Sequence, residues 1–116
     1  MSNAYVNGFY TPAQANTPET VFTCPDETTT IFQTLQLVNV SGSKNVSVFI
    51  LDFSTGALNR IAYVEFGGPL ITNVFKGSIV LEEKDVLKIE TSNTSGITGT
   101  TAALETTRIY IPQGAS

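Results

Sequence analysis

The stretch TTTIFQTLQLVNV at residues 28–40, followed by SGSKN at 41–45 and VSVFILDF at 46–53, decides the fold class. Both apolar runs are rich in β-branched and aromatic residues that suit a pleated surface, and the small polar segment between them suits a hairpin-like connection. Successive strand side chains point to opposite faces. Ile31, Leu35 and Leu37 are therefore expected on one face of the first strand, with Phe32, Val38 and Val40 on the other. In the second strand Val46, Val48 and Ile50 oppose Phe49, Leu51 and Phe53. With both faces apolar, this strand should be central and covered on each side by arm, loop or partner.

Working outward, strand signals follow one another with turn residues between them. Residues 20–23 form a short candidate that ends at CPDE (24–27), where Pro25 fixes φ and Asp26 suits a turn. STGALN (54–59) leads to RIAYVEF (60–66), which Gly67, Gly68 and Pro69 stop sharply. LITNVFKG (70–77) is a strand or an extended crossover. In SIVLEEKDVLKIET (78–91), residues 82–85 make a charged tight turn between two strands. A small-residue loop at 92–99 precedes a Thr-rich strand region that ends in RIYIP (108–112). No segment has the apolar period of an ordinary helix, and no internal repeat is evident. The expected fold is all-β: a single antiparallel β-sandwich, jelly-roll or immunoglobulin-like, over residues 20–112. A tail follows at 113–116, and an extended N-terminal arm precedes it at 1–19. Pro12 and Pro18 exclude a central strand from that arm, and Gly8 permits a bend. Tyr5, Val6, Phe9 and Tyr10 are too apolar for a free tail and should pack on the sandwich or on a neighbouring subunit.

The chain has 116 residues, a length that suits one domain with its own core. Only 14% of residues are charged, against 41% hydrophobic, and Thr, Ser and Asn take the place of the usual ionic surface. Such a perimeter fits contact with copies of itself or with other subunits, as well as a plain Thr-rich β-surface. At a net charge of −4 with scattered cations, no basic stripe is available for phosphates, and nucleic-acid binding is not expected. Residues 1–9 lack the charged and apolar regions of a signal peptide, and no run approaches membrane-spanning length.

Residues that carry chemistry are scarce. There is no histidine, which excludes a histidine base for nucleophilic catalysis, and one cysteine without histidine cannot build a zinc site. Cys24 cannot form an intramolecular disulfide, which fits a reducing compartment, and it reads as a structural thiol. Glu82, Glu83 and Asp85 could surround a calcium ion, but their spacing is not that of an EF-hand loop and an acidic turn between apolar strands reads better as a solvated gatekeeper. Gly67 and Gly68 mark a turn, not a phosphate cradle. Sequons at Asn39, Asn45 and Asn93 follow from the composition. No catalytic, cofactor or metal residues are assigned, and no cofactor or small-molecule substrate is expected.

Two stretches, YVNGFYTPAQANTPETVFTCPDETTTIFQTLQLVNVSG (5–42) and GPLITNVFKGSIVLEEKDVLKIETSN (68–93), resemble small virion structural proteins of tailed bacteriophages of the marine and cyanophage kind. The shared features are an opening aromatic arm, a TCP step before a Thr-rich strand, and a strand, acidic turn, strand unit followed by a small-residue loop. The chain departs from that pattern at Glu83 and Lys84, where a glycine commonly precedes the turn aspartate. The resemblance implies a non-enzymatic protein that decorates or cements the outer capsid surface. It also implies assembly as a homotrimer, partnership with the major capsid protein, location in the virion, and synthesis in the host bacterial cytoplasm. Tyr5, Val6, Phe9 and Tyr10 would be its subunit or capsid contacts. The alternatives are a tail, fibre or adaptor component, a receptor- or glycan-binding β-module, and an enzyme. Without tryptophan an aromatic sugar platform is hard to assemble, and the turn carboxylates are a poor basis for hydrolysis.

Overall fold

The computed structural model describes residues 2–75 and 77–107. Among the described residues nine strands run in chain order: β1 (Ser2–Tyr10), β2 (Glu19–Thr23), β3 (Thr28–Asn39), β4 (Lys44–Leu51), β5 (Leu58–Phe66), β6 (Leu70–Asn73), β7 (Ile79–Leu81), β8 (Val86–Thr91) and β9 (Ile97–Thr107). There is no helix among the described residues. One sheet, here sheet A, has the order β1-β9-β3-β6, with β7 also pairing β3, and sheet B has the order β2-β8-β4-β5. Every pairing is antiparallel. The pairings nest: β1 with β9, β2 with β8, β3 with β6 and β7, and β4 with β5. A long hairpin folded over on itself in this way is a jelly roll, and it excludes the immunoglobulin order.

The core lies between the sheets. Phe32, Leu35 and Leu37 from β3 meet Val46 and Val48 from β4 and Leu87 and Ile89 from β8, all essentially inaccessible. Phe32 sits at its centre, edge-to-face with Phe22 of β2 at 5.3 Å and with Phe75 at 6.3 Å. Burying such a side chain contributes roughly 1.5–3 kcal/mol, and each aromatic pair about 0.5–1.5 kcal/mol more.

The expected division of β3 into two faces is corrected by a bulge. Its register against β9 slips between Phe32 and Thr34, so the alternation changes phase at Gln33. Phe32 therefore shares the inner face with Leu35 and Leu37, while Ile31 and Val38 turn outward and are half-buried. Val40 falls beyond the strand and is exposed. β4 is central, between β8 and β5, and its outer residues Phe49 and Leu51 are half-buried. The cover over Phe49 comes from within the sheet: the Arg60 guanidinium of β5 lies 5.8 Å from its ring centre.

An extended N-terminal arm is not what residues 2–10 form. They make strand β1, in unbroken register with β9 at the margin of sheet A. Pro12 and Pro18 exclude strand only from the connection that follows. The first half of the segment at 70–77 is strand β6, and the loop after β8 is shorter than expected because β9 starts at Ile97. The expected strand at 108–112 and tail at 113–116 lie outside the described residues.

Candidate subunit-contact surface

Side chains directly opposite each other in an antiparallel ladder share a face. On the outside of sheet A this register aligns Tyr5 of β1 with Leu104 of β9, Leu104 with Ile31 of β3, and Ile31 with Val80 of β7. The result is an apolar row running across the sheet, with Tyr5 81% and Val80 48% exposed at its ends. A second outward pair, Val38 and Ile71, lies farther along β3, and Phe9 stands 76% exposed opposite Thr100. Thr, Asn and Gln fill the spaces: Asn7, Thr29, Thr34, Gln36, Asn73, Thr98, Thr100 and Thr106. Among the described residues this outer face carries no charged side chain.

Sheet B differs in carrying charge on its outer face, beside the exposed apolar side chains of Leu58 and Tyr63. Its outward positions include Lys88 and Glu90 on β8 and Arg60 and Glu65 on β5. Arg60 lies over the rings of both Phe49 and Tyr63, the latter at 5.4 Å. Interface cores are depleted in charge and enriched in aromatic residues, so sheet A and not sheet B has the make-up of a protein contact surface.

The four expected contact residues divide by the strand's alternation. Tyr5 and Phe9 project from the outer face, whereas Val6 packs against the core and Tyr10 is buried at 4% exposure. Among the described residues the Tyr10 hydroxyl has no hydrogen-bond partner. Burial, reinforced by Glu19 and Glu90, pushes its phenol well above the ordinary value. The sequence did not point to Leu104, Ile31, Val80 and Ile71, because they come from four strands and only register brings them together. The signal available was the apolar second face of β3.

Between the open margins of the two sheets, β5 and the β6–β7 line enclose a cleft of about 400 Å³ lined by residues such as Ile61, Tyr63, Val64, Phe75 and Ile79. Among the described residues no carboxylate or cation lines it.

The acidic turn is a fastening. Asp85 accepts the backbone N–H of Phe53 on one oxygen and of Glu82 on the other, each at 3.0 Å, and a Glu83 oxygen accepts the Glu27 N–H at 2.7 Å. Asp52 accepts from the Ser54 hydroxyl and N–H, which hold its carboxyl below its usual range. A cleft of about 340 Å³ lies among these residues, yet among the described residues no three His, Cys, Asp or Glu side chains converge to hold a metal ion. Lys84 supplies the left-handed conformation that glycine would favour, at φ 68°.

Cys24, 1% exposed, locks the turn at the end of sheet B. Its backbone N–H donates to the Asp85 carbonyl and its own carbonyl accepts from Lys84. The sulfur lies 3.2 Å from the Thr28 carbonyl oxygen, 3.3 Å from the Thr30 hydroxyl and 3.6 Å from the Leu81 carbonyl oxygen. Burial pushes its pKa up, partly offset by Thr30. A thiol so enclosed is a packing group. No helix among the described residues is long and apolar enough to cross a membrane. No protein-family model matches the sequence, and no curated protein matches it.

Proposed function

We propose that this protein is a non-enzymatic structural protein of a tailed-phage virion, and that it decorates or cements the head by seating the outer face of sheet A on the outer capsid surface. The observation that carries this reading is the outer face of sheet A, which among the described residues is uncharged, with exposed Tyr5, Phe9, Ile71 and Val80 set among Thr, Asn and Gln. The resemblance of residues 5–42 and 68–93 to phage virion proteins adds the setting. Its partners are the major capsid protein and further copies of this chain. Contacts of modest strength, repeated over a capsid lattice, hold firmly through effective concentration. Subunits seated across seams between capsid proteins would oppose the outward pressure of packaged DNA.

The test is co-sedimentation of the purified protein with emptied capsids of its parent virus, alongside the double variant Tyr5→Ser/Phe9→Ser. Pelleting of the natural chain and its loss in the variant are expected. A protein that ignores capsids, or that binds equally well without both rings, overturns the reading and moves the assignment to a tail, fibre or receptor-binding part.

A further inference from the structure

A strand at the margin of a sheet presents unpaired backbone N–H and C=O groups, and proteins normally protect such edges with charge, proline, bulges or shortness. The sandwich has four edges, and three carry these devices. β2 has Glu19 and a register shift between Thr20 and Phe22. β5 has Arg60, Glu65 and a bulge opposite Val48 and Phe49. The β6–β7 edge is broken into pieces of four and three residues, with Pro69 immediately before the first. β1 has none of them. It runs nine residues without charge, proline or register shift, and Ala4 to Tyr10 make no backbone hydrogen bond outside the β1–β9 ladder among the described residues.

We infer that two copies of this chain pair through their β1 edges, antiparallel about a twofold axis at Asn7, joining their A sheets into one continuous sheet. The strand is self-complementary in that register. Tyr5 of each copy falls directly opposite Phe9 of the other on the outer face, giving two cross-strand aromatic pairs, the kind of pair that stabilises antiparallel strands. On the inner face Val6 falls opposite Gly8 and meets no bulky side chain. Asn7 faces its own copy, and no charge opposes a like charge. A contact in which each copy offers the same patch closes on itself, so the product is a dimer and not the homotrimer that the phage resemblance implies. The inference goes beyond capsid seating and does not rest on it.

The test is the mass of the full chain in solution by sedimentation, without capsids. The expected mass is twice 12.4 kDa. Asn7→Lys places two cations face to face at the axis and is expected to give a monomer with an unchanged circular dichroism spectrum. Asn7→Cys is expected to form a disulfide-linked pair on mild oxidation, whereas Asn73→Cys on the opposite edge of the sheet is not. A monomeric or trimeric natural chain, a dimer indifferent to Asn7→Lys, or no cross-link through Asn7→Cys overturns the inference. Because no capsid enters the experiment, its failure leaves the seating proposal to its own test.

Discussion

The ammonium of Lys44 donates to Oδ1 of Asn39 at 2.7 Å, and both side chains are buried. Asn39 in turn donates through Nδ2 to the carbonyls of Gly42 and Gly68, each at 2.9 Å, while Lys44 also donates to the carbonyl of Ser41. One amide thus ties the β3–β4 turn to the turn that leaves β5. The amide holds both turns, and the ammonium stiffens only the first. Asn39→Ala is therefore expected to cost about 3 kcal/mol, and Lys44→Met, which keeps the length of the stem, about 1 kcal/mol. Urea unfolding of the two variants measures the difference. Equal costs would mean that the ammonium matters as much as the amide, and a larger cost for Lys44→Met that the ammonium holds this end of the sandwich.

Tyr10 supplies the opposite case, a buried polar atom without a partner among the described residues. Phenylalanine keeps the ring and removes a hydroxyl that is desolvated and unpaired. Tyr10→Phe is expected to raise stability by about 1 kcal/mol. A loss of stability on thermal unfolding would show that the hydroxyl is satisfied in solution.

The raised pKa of Cys24 has a defined consequence for pH. The buried thiol resists ionisation, whereas the unfolded chain's thiol ionises near its ordinary value of about 8.5. Its contribution is complete below that value and is lost as pH rises toward the folded-state pKa, because the unfolded state releases its proton first. Stability measured between neutral and alkaline pH should therefore decline above about 8.5, and Cys24→Ala should flatten that part of the decline. In the native state Ellman's reagent should react with Cys24 only as fast as the sandwich opens.

Lys84 adopts a left-handed backbone at φ 68° while its ammonium lies 4.9 Å from the centre of the Phe53 ring. The backbone conformation costs an ordinary residue roughly 1–2 kcal/mol, and an exposed cation–π contact returns only about 0.5 kcal/mol. Lys84→Gly is expected to raise stability by about 0.5–1 kcal/mol, the remainder being offset by glycine's greater freedom when unfolded. An unchanged or lower melting temperature would mean that the ring contact matters more than the backbone.

How far the sequence was legible depended on whether local alternation persisted. β4, with Val46 and Val48 inward, and the Glu82–Asp85 turn were readable because period and turn chemistry are local signals. The faces of β3 were not, because a single extra residue at Gln33 reverses every assignment beyond it while leaving composition unchanged. Residues 2–10 were obscured by the prolines after them, which bear on the next segment and not on this one. Of the contact surface, Tyr5 and Phe9 stood out as aromatic residues in a polar setting. Their separation from Val6 and Tyr10 needed only the period of two, but the alignment of Tyr5, Leu104, Ile31 and Val80 needed long-range register. Lys44 is one of the scattered cations of the sequence, and its pairing with Asn39, five residues earlier, depends on how the β3–β4 turn brings the two strand ends together.

The position of β9 shapes the order in which the molecule can be made. β9 lies between β1 and β3 in sheet A, yet among the described residues it is the last strand in chain order. As the chain leaves the ribosome, β1 waits without its lateral neighbour through the synthesis of everything that follows it. β4 and β5 can close their hairpin early, while sheet A can be completed only after β9 emerges. A sheet finished by its most distant segments folds slowly, and its strands stay open to outside pairing in the interval. The topology predicts that this half of the sandwich folds late, and that a nascent chain stopped before Ile97 exposes both β1 and β3 to chaperones or to other chains.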